Sequence, residues 1–292
     1  MSVGGIEIKT KIIAGLAILS MILLPFAALG WDSSEADAAE TIDVFLLAGQ
    51  SNAAYTFRAV PDEAAPTCPA GVAYYFGDST QPVQYADWAD GATFSIYDMM
   101  NSDGTAHIGG VELPFASTYY ERTGHKICVI NVAIGGSTIA KWTPGNTYYV
   151  WAQDIFDKAL TALEANYTPD VKGLIWIQGE SDPTLEIATY KTRFMSMFNA
   201  MTHNTTGSYF NDNYAFEDCI MCLTRQNCGP NSCLAQVQLD AQNDNVKLGC
   251  IVCDTFTYAN GLLYNDDTHA TQKGRNIMGV DLANNYVTKF ST

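Results

Sequence analysis

Five short apolar runs recur along this chain with hardly a polar residue inside them: Val44 to Ala48, Ile127 to Val132, Leu174 to Ile177, Cys219 to Leu223 and Cys250 to Cys253. A strand with one face in water alternates apolar and polar residues, whereas a strand covered on both faces reads as an unbroken apolar run. Such runs belong in a parallel sheet held between layers of helix. Helical patterns do fall between them. Ala152, Ile155, Phe156, Ala159, Leu160 and Leu163 make one apolar stripe at helical spacing. Pro114 to Arg122 has Pro near its start and Gly124 beyond its end, the usual helix punctuation. Thr184 to Met201 and Thr271 to Tyr286 are further helix candidates. Strand and helix alternating in this way predict an α/β fold, a three-layer α/β/α sandwich on a mainly parallel sheet.

At 292 residues and 48% hydrophobic, the chain is long enough to bury a substantial core. Its start reads differently from the rest. Lys9 and Lys11 precede an uncharged stretch from Ile12 to Trp31, the basic-then-apolar pattern of a secretory signal. Pro25 breaks the apolar segment, and Ala28-Leu29-Gly30 or Ala36-Asp37-Ala38 offers small residues for cleavage. The expected organisation is a signal segment over 1–30, a spacer over 31–40 and one folded domain over 41–292, exported to the cell surface or beyond. The same stretch is long enough to span a bilayer, so an uncleaved anchor is the alternative and the one route to a membrane. The formal net charge is −16, from 15 Lys plus Arg against 31 Asp plus Glu. With no basic stripe to neutralise phosphates, nucleic acid is not an expected partner.

The eight cysteines include Cys219-x-x-Cys222 and Cys250-x-x-Cys253, the spacing of a four-thiolate zinc site. Both pairs lie inside apolar runs of an exported chain, where thiols oxidise. On a strand, residues three apart also point to opposite faces and do not chelate together. Disulfides or buried thiols are therefore expected and no metal, with Cys228 and Cys233 bracketing a loop as the local disulfide.

The chemistry-bearing segments follow the apolar runs. Gly49-Gln50-Ser51-Asn52 ends the first, placing a hydroxyl at the carboxyl end of a strand, where α/β folds keep their sites. A serine there also caps helices, so the position alone decides nothing. Asp266-Asp267-Thr268-His269 supplies a carboxylate and an imidazole. With Ser51 they make the set that acyl transfer uses: nucleophile, base and the group that orients the base. Ala133-Ile134-Gly135-Gly136-Ser137-Thr138 has glycines that leave backbone N–H groups open, and Gln178, in Trp176-Ile177-Gln178-Gly179-Glu180-Ser181-Asp182, has two uncharged N–H donors suited to an oxyanion. Gly49-x-Ser51-x-Ala53 nearly matches the G-x-S-x-G elbow of α/β-hydrolases. Ser51, however, follows the first strand rather than a later one, and Asp266 lies three residues from His269 instead of far upstream. His107, His125 and His203 have no carboxylate at comparable spacing and read as surface histidines.

These four blocks, in this order, resemble those of the SGNH/GDSL-type hydrolases, and more narrowly the sialate O-acetylesterase domain related to acetylxylan esterases of carbohydrate esterase family six. The resemblance covers about Ile42 to Val287. It implies a flavodoxin-like sheet, a triad of Ser51, Asp266 and His269, and an oxyanion hole made by the Ser51 and Gly136 N–H groups with the Gln178 side chain. It also implies removal of O-acetyl groups from carbohydrate, of the acetylated xylan or sialic acid kind, without a cofactor. Where family members commonly continue with Met-Ala-Gly, this chain has Ala53-Ala54-Tyr55. Tyr55 and Trp142 are the expected aromatic contacts for the sugar, while Trp176 reads as core. A non-catalytic carbohydrate-binding or adhesion module, or an esterase for small non-sugar esters, are the other functions this pattern admits.

Overall fold

The computed structural model describes residues 39–54, 64, 66–77, 95–100, 102–103, 105–106, 109–224, 230–241, 247–253, 256–264 and 266–290. The chain divides at 38/39 into two units, and the described residues all belong to the second, 39–292. The expected signal segment lies outside the described residues. Among those described, no helix is long and apolar enough to cross a membrane.

The second unit is built on strands β1 (Glu40–Gly49), β2 (Ala73–Gly77), β3 (Ser95–Asp98), β4 (Ile127–Asn131), β5 (Tyr167–Ile177), β6 (Asp218–Thr224) and β7 (Lys247–Cys253). They lie side by side in the order β3-β2-β4-β1-β5-β6-β7, and every neighbouring pair is parallel except β2 with β3. The strands that carry the five apolar runs form the stretch β4-β1-β5-β6-β7. Counted among themselves this is the order second, first, third, fourth, fifth, the flavodoxin-like arrangement. β2 and the antiparallel β3 extend its β4 edge.

Both faces of the sheet are covered, which is why the runs do not alternate. In β1, Ile42, Val44, Leu46 and Ala48 point into a core shared with helices α3 (Thr147–Glu164), α4 (Ile187–Met201) and α5 (Pro230–Ala241). Phe45 and Leu47 point into the opposite core, shared with α2 (Glu112–Thr123) and α6 (Gln272–Phe290). Phe45 meets Phe115, Tyr119 and Tyr286 edge-on at centroid distances of 5.1, 5.1 and 4.9 Å. The predicted helices all appear, and Gly124 closes α2 with φ 75° and an N–H bond to Tyr120 O. α5 is a correction. The segment expected to be a disulfide-bracketed loop becomes helix from Pro230 onward, a residue suited to a first helical position because it lacks the N–H that would go unbonded there. Cys228 lies outside the described residues.

The cysteine pairs divide as the strand geometry requires. Cys222 and Cys253 enter the α2/α6 core with sulfurs 3.7 Å apart, while Cys219 lies in the opposite core with Cys250 packed against it. Cys68, Cys128, Cys219, Cys222, Cys250 and Cys253 are free thiols. No cluster among the described residues is arranged to hold a metal ion.

One buried acid sits between core and site. Glu112, at the start of α2, is fully buried and accepts a hydrogen bond from Asn131 Nδ2, which also donates to Ala53 O at 2.8 Å. Burial pushes its carboxyl up to about 7, against the opposing pull of the Asn131 bond and the Arg275 charge. The unfolded chain releases this proton near about pH 4.3. Between there and about 7 the folded state holds the extra proton, so this group makes stability fall as pH rises through that window. Glu112→Gln keeps the Asn131 bond and removes the titration. The variant should gain in Tm relative to wild type as pH rises from about 4.5 to 7.5. A Tm difference that stays constant over that range would mean that the carboxyl is already ionised in the fold.

Candidate active site

β1 runs out of the sheet between β4 and β5, at the switch point of the strand order, where an open α/β sheet leaves a crevice. Gly49 makes the exit. It has φ 129°, and a Cβ there would stand 2.0 Å from Ile177 O, so only glycine lets β1 pass β5 this closely. Gln50 N–H bonds that same carbonyl at 2.8 Å, and Ser51 opens the four-residue helix α1 (Ser51–Ala54). The turn after β4 is pinned to the same place: Ile134 N–H and Ser137 Oγ both donate to Gly49 O, at 3.0 and 2.9 Å.

The segment before α6 brings the other end of the chain here. Ser51 Oγ lies 3.0 Å from His269 Nε2, and His269 Nδ1 lies 2.7 Å from Asp266 Oδ2. The second Asp266 oxygen accepts the backbone N–H groups of Thr268 and His269 at 2.9 and 3.0 Å. The His269 ring bond, then these backbone bonds, hold the Asp266 carboxyl down at about 2. Asp266 is thus a fixed negative charge at any pH where an imidazole titrates. Asp267, between them, adopts a left-handed φ of 51°, a conformation that aspartate tolerates better than most residues.

The turns after β1 and β4 each leave a backbone donor open. Gly136 is exposed with φ 69°, and among the described residues neither its N–H nor that of Ser51 has a hydrogen-bond partner. Gln178 is a correction. Its side chain is fully buried, and its Nε2 bonds Asp182 Oδ2 at 2.6 Å and Ser137 O at 3.0 Å, with Gln50 Oε1 at 3.4 Å. Its Oε1 accepts the Tyr190 hydroxyl at 2.8 Å. An amide has two N–H bonds to give, and both are committed below the site. Gln178 braces the crevice and has no donor left for an oxyanion.

Trp142 is a second correction. It is fully buried, donates Nε1–H to Ser137 Oγ at 3.0 Å and meets Trp176 edge-on at 5.5 Å. It supports the Gly135-Gly136 turn from beneath and does not reach a ligand. Tyr55 lies outside the described residues, as does His107. His125 lies at the surface as expected, with its Nδ1 2.9 Å from the buried Asp43. This carboxylate comes from a neighbouring strand, so no local spacing discloses it.

Sequence reasoning passed over Asn52, although it stands beside the nucleophile candidate. Its Nδ2 donates to Glu180 Oε1 at 2.7 Å and to Thr268 O at 3.1 Å, and its Oδ1 accepts Ala270 N–H at 2.9 Å. One amide therefore ties the serine turn, the Gln178-to-Asp182 loop and the histidine segment together. Burial raises the Glu180 carboxyl, with the Asn52 bond and the nearby His269 pulling the other way. A cavity of about 340 Å³ lies elsewhere, between the C-terminal half of α3 and residues 209–214, and Ser51, Asp266 and His269 do not line it.

The sheet order and the helices on both faces place the protein among the flavodoxin-like α/β folds. The chain belongs to the family of carbohydrate esterases described as sialic acid-specific acetylesterases, whose pattern matches residues 41–288, and it is a carboxylic ester hydrolase accordingly. No curated protein matches it at a significant level. Among solved structures it is similar to a protein of Arabidopsis thaliana, with 18% identity and a TM-score of 0.57 over 85% of this chain and 98% of that one. NanS is 15% identical with a TM-score of 0.56, over 87% of this chain and 98% of that one. A carbohydrate acetylesterase from Xanthomonas citri is 17% identical with a TM-score of 0.54, over 85% of this chain but 56% of that one. At such identities these likenesses speak for the fold.

Two substitutions separate brace from donor. Gln178→Ala leaves Asp182 and Ser137 O short of a buried partner, at about 1–3 kcal/mol each, and should lower Tm by several degrees. Unchanged Tm with kcat reduced about 10²-fold would restore Gln178 to the oxyanion hole. Asn52→Ala should loosen the Ser51–His269 contact and lower kcat by about 10-fold or more with KM little changed. Wild-type kcat in that variant would show that the histidine segment holds its place without the amide.

Proposed function

We propose that the protein is an exported serine esterase that removes O-acetyl groups from carbohydrate through an acetyl-serine intermediate. The observation that carries this reading is the unbroken chain from Ser51 Oγ to His269 Nε2 and from His269 Nδ1 to Asp266, beside two unbonded backbone N–H groups. In it, Ser51 Oγ attacks the acetyl carbonyl carbon while its proton passes to His269 Nε2. Asp266 keeps the ring in the tautomer that has Nδ1 protonated and stabilises the imidazolium. The negative charge on the carbonyl oxygen meets the Ser51 and Gly136 N–H groups, which are held in place before the reaction begins. Collapse breaks the bond to the sugar oxygen, which takes the proton from His269. Water then attacks the acetyl-serine with His269 again as base, releasing acetate and restoring Ser51.

The substrate class rests on the family and on the Xanthomonas citri relative, whose own description is carbohydrate acetylesterase. An acetylated xylan-type glycan and an O-acetyl sialic acid are the two forms to assay. Export rests on the basic-then-apolar stretch at Lys9 to Trp31.

Ser51→Ala should fold as wild type and lose activity by about 10³-fold or more, keeping only what the oxyanion donors supply. A fluorophosphonate probe should label the wild type and not the variant. Retained activity in Ser51→Ala would overturn the serine mechanism, and an unlabelled, inactive wild type that still binds glycan would identify a binding module.

A further inference from the structure

The structure buries the tryptophan expected to meet the sugar, and it exposes a different aromatic beside the histidine. Tyr264 is 44% exposed and is the one aromatic among the exposed large apolar side chains of the described residues. Its position follows from backbone pairing. Leu263 and Ala270 form an antiparallel bridge, flanked by Thr271 N–H to Leu262 O at 3.0 Å and Tyr264 N–H to His269 O at 2.9 Å. In such pairing, directly opposite residues share a face and successive residues alternate between faces. Leu263 and Ala270 are buried, whereas Tyr264 and His269, opposite each other on the other face, are both reached by solvent, the His269 side chain at 30%. Opposite side chains of this kind stand with Cβ atoms about 4.5–5.5 Å apart. The Tyr264 carbonyl also accepts Asp267 N–H at 3.0 Å, so the residue is anchored at both backbone groups.

We propose that Tyr264 is the platform for the sugar ring that leaves, packing its phenol against the C–H face of a pyranose or furanose. This rests on the reading of His269 as base. The imidazole that takes the Ser51 proton must return it to the leaving oxygen, so the alcohol half of the ester lies against His269. The acetyl half lies toward Ser51 and Gly136. A ring on the outward face beside His269 therefore meets the sugar and not the acetyl group. Sugars present apolar C–H faces between their hydroxyls, and an aromatic ring fixed at its backbone contacts such a face at little entropic cost.

The test pairs two esters on one enzyme: an acetylated monosaccharide and ethyl acetate, whose alcohol half has no ring. Tyr264→Leu keeps apolar bulk without the aromatic face and should raise KM for the acetylated sugar about 5- to 10-fold, with kcat within about 2-fold. Tyr264→Phe should restore the wild-type KM, and kcat/KM for ethyl acetate should stay unchanged in both variants. Unchanged KM for the sugar in Tyr264→Leu would overturn the proposal. So would an equal loss of kcat on both esters, which would make Tyr264 a support of the His269 segment. Failure of the serine mechanism is read separately, from Ser51→Ala retaining activity on either ester.

Discussion

Ser51 and His269 stand 218 positions apart, on segments that the sheet brings to one edge but does not itself register. What registers them is one planar amide. Asn52 follows Ser51 directly, and its three hydrogen bonds go to Glu180 and to the backbone on both sides of His269. Moving the histidine segment relative to the serine turn breaks bonds whose groups are then buried unpaired, at about 1–3 kcal/mol each. The amide is also the only chemistry that serves. An aspartate at 52 would set a second carboxylate against Glu180, and a leucine would leave the Ala270 N–H and Thr268 O without partners. Gln50 does the same for the neighbouring loop, its Oε1 accepting Ser181 N–H at 3.0 Å and Gly179 N–H at 3.4 Å.

Three acids, Glu112 and Asp182 buried and Glu180 half-buried, are each matched to an amide. Glu112 takes Asn131, Glu180 takes Asn52, and Asp182 takes Gln178 together with Ile139 N–H. A carboxylate out of reach of water needs donors from the protein, and side-chain amides supply them without adding charge. This demand consumes Gln178. In sequence the residue looks like an ideal oxyanion donor because its chemistry suits that task as well as it suits bracing Asp182. Only the location of the acid decides between them, and the acid lies four residues further along on the same loop.

The same distinction separates what was legible in the sequence from what was not. The five parallel strands and four of their covering helices were legible because burial on both faces leaves an unbroken apolar run and helix packing leaves a stripe. The Ser51 turn was legible because it ends the first apolar run, and the Asp266–His269 segment because it sets a carboxylate three residues from an imidazole. β2 and β3 were not, since their runs are only five and four residues long and carry tyrosines. α5 was hidden because Cys228-Gly-Pro-Asn-Ser-Cys233 carries turn residues, of which the proline in fact opens the helix. Trp142 and Tyr264 could not be ranked by type at all. An aromatic is core or contact according to which face of its segment looks outward, and for Tyr264 that is set by its pairing with a residue across a turn.

Among the described residues two carboxylate–imidazole pairs occur, in contrasting surroundings. Asp43 and His125 meet at the amino edge of the sheet, 2.9 Å apart, with Asp43 also accepting the Tyr119 hydroxyl at 2.6 Å. No reactive hydroxyl is made there: burial and the Asp43 carboxylate push Tyr119 far up, away from ionisation. The backbone donors are spent as well, Asp43 N–H on Lys126 O and Ile127 N–H on Val72 O, both at 2.9 Å. At the carboxyl edge the strands have ended, and the Gly49 exit and the Gly136 turn leave N–H groups unclaimed beside a serine. An imidazole with its carboxylate is only a proton carrier. It becomes a site where the sheet stops pairing and leaves donors for the charge that the proton transfer creates.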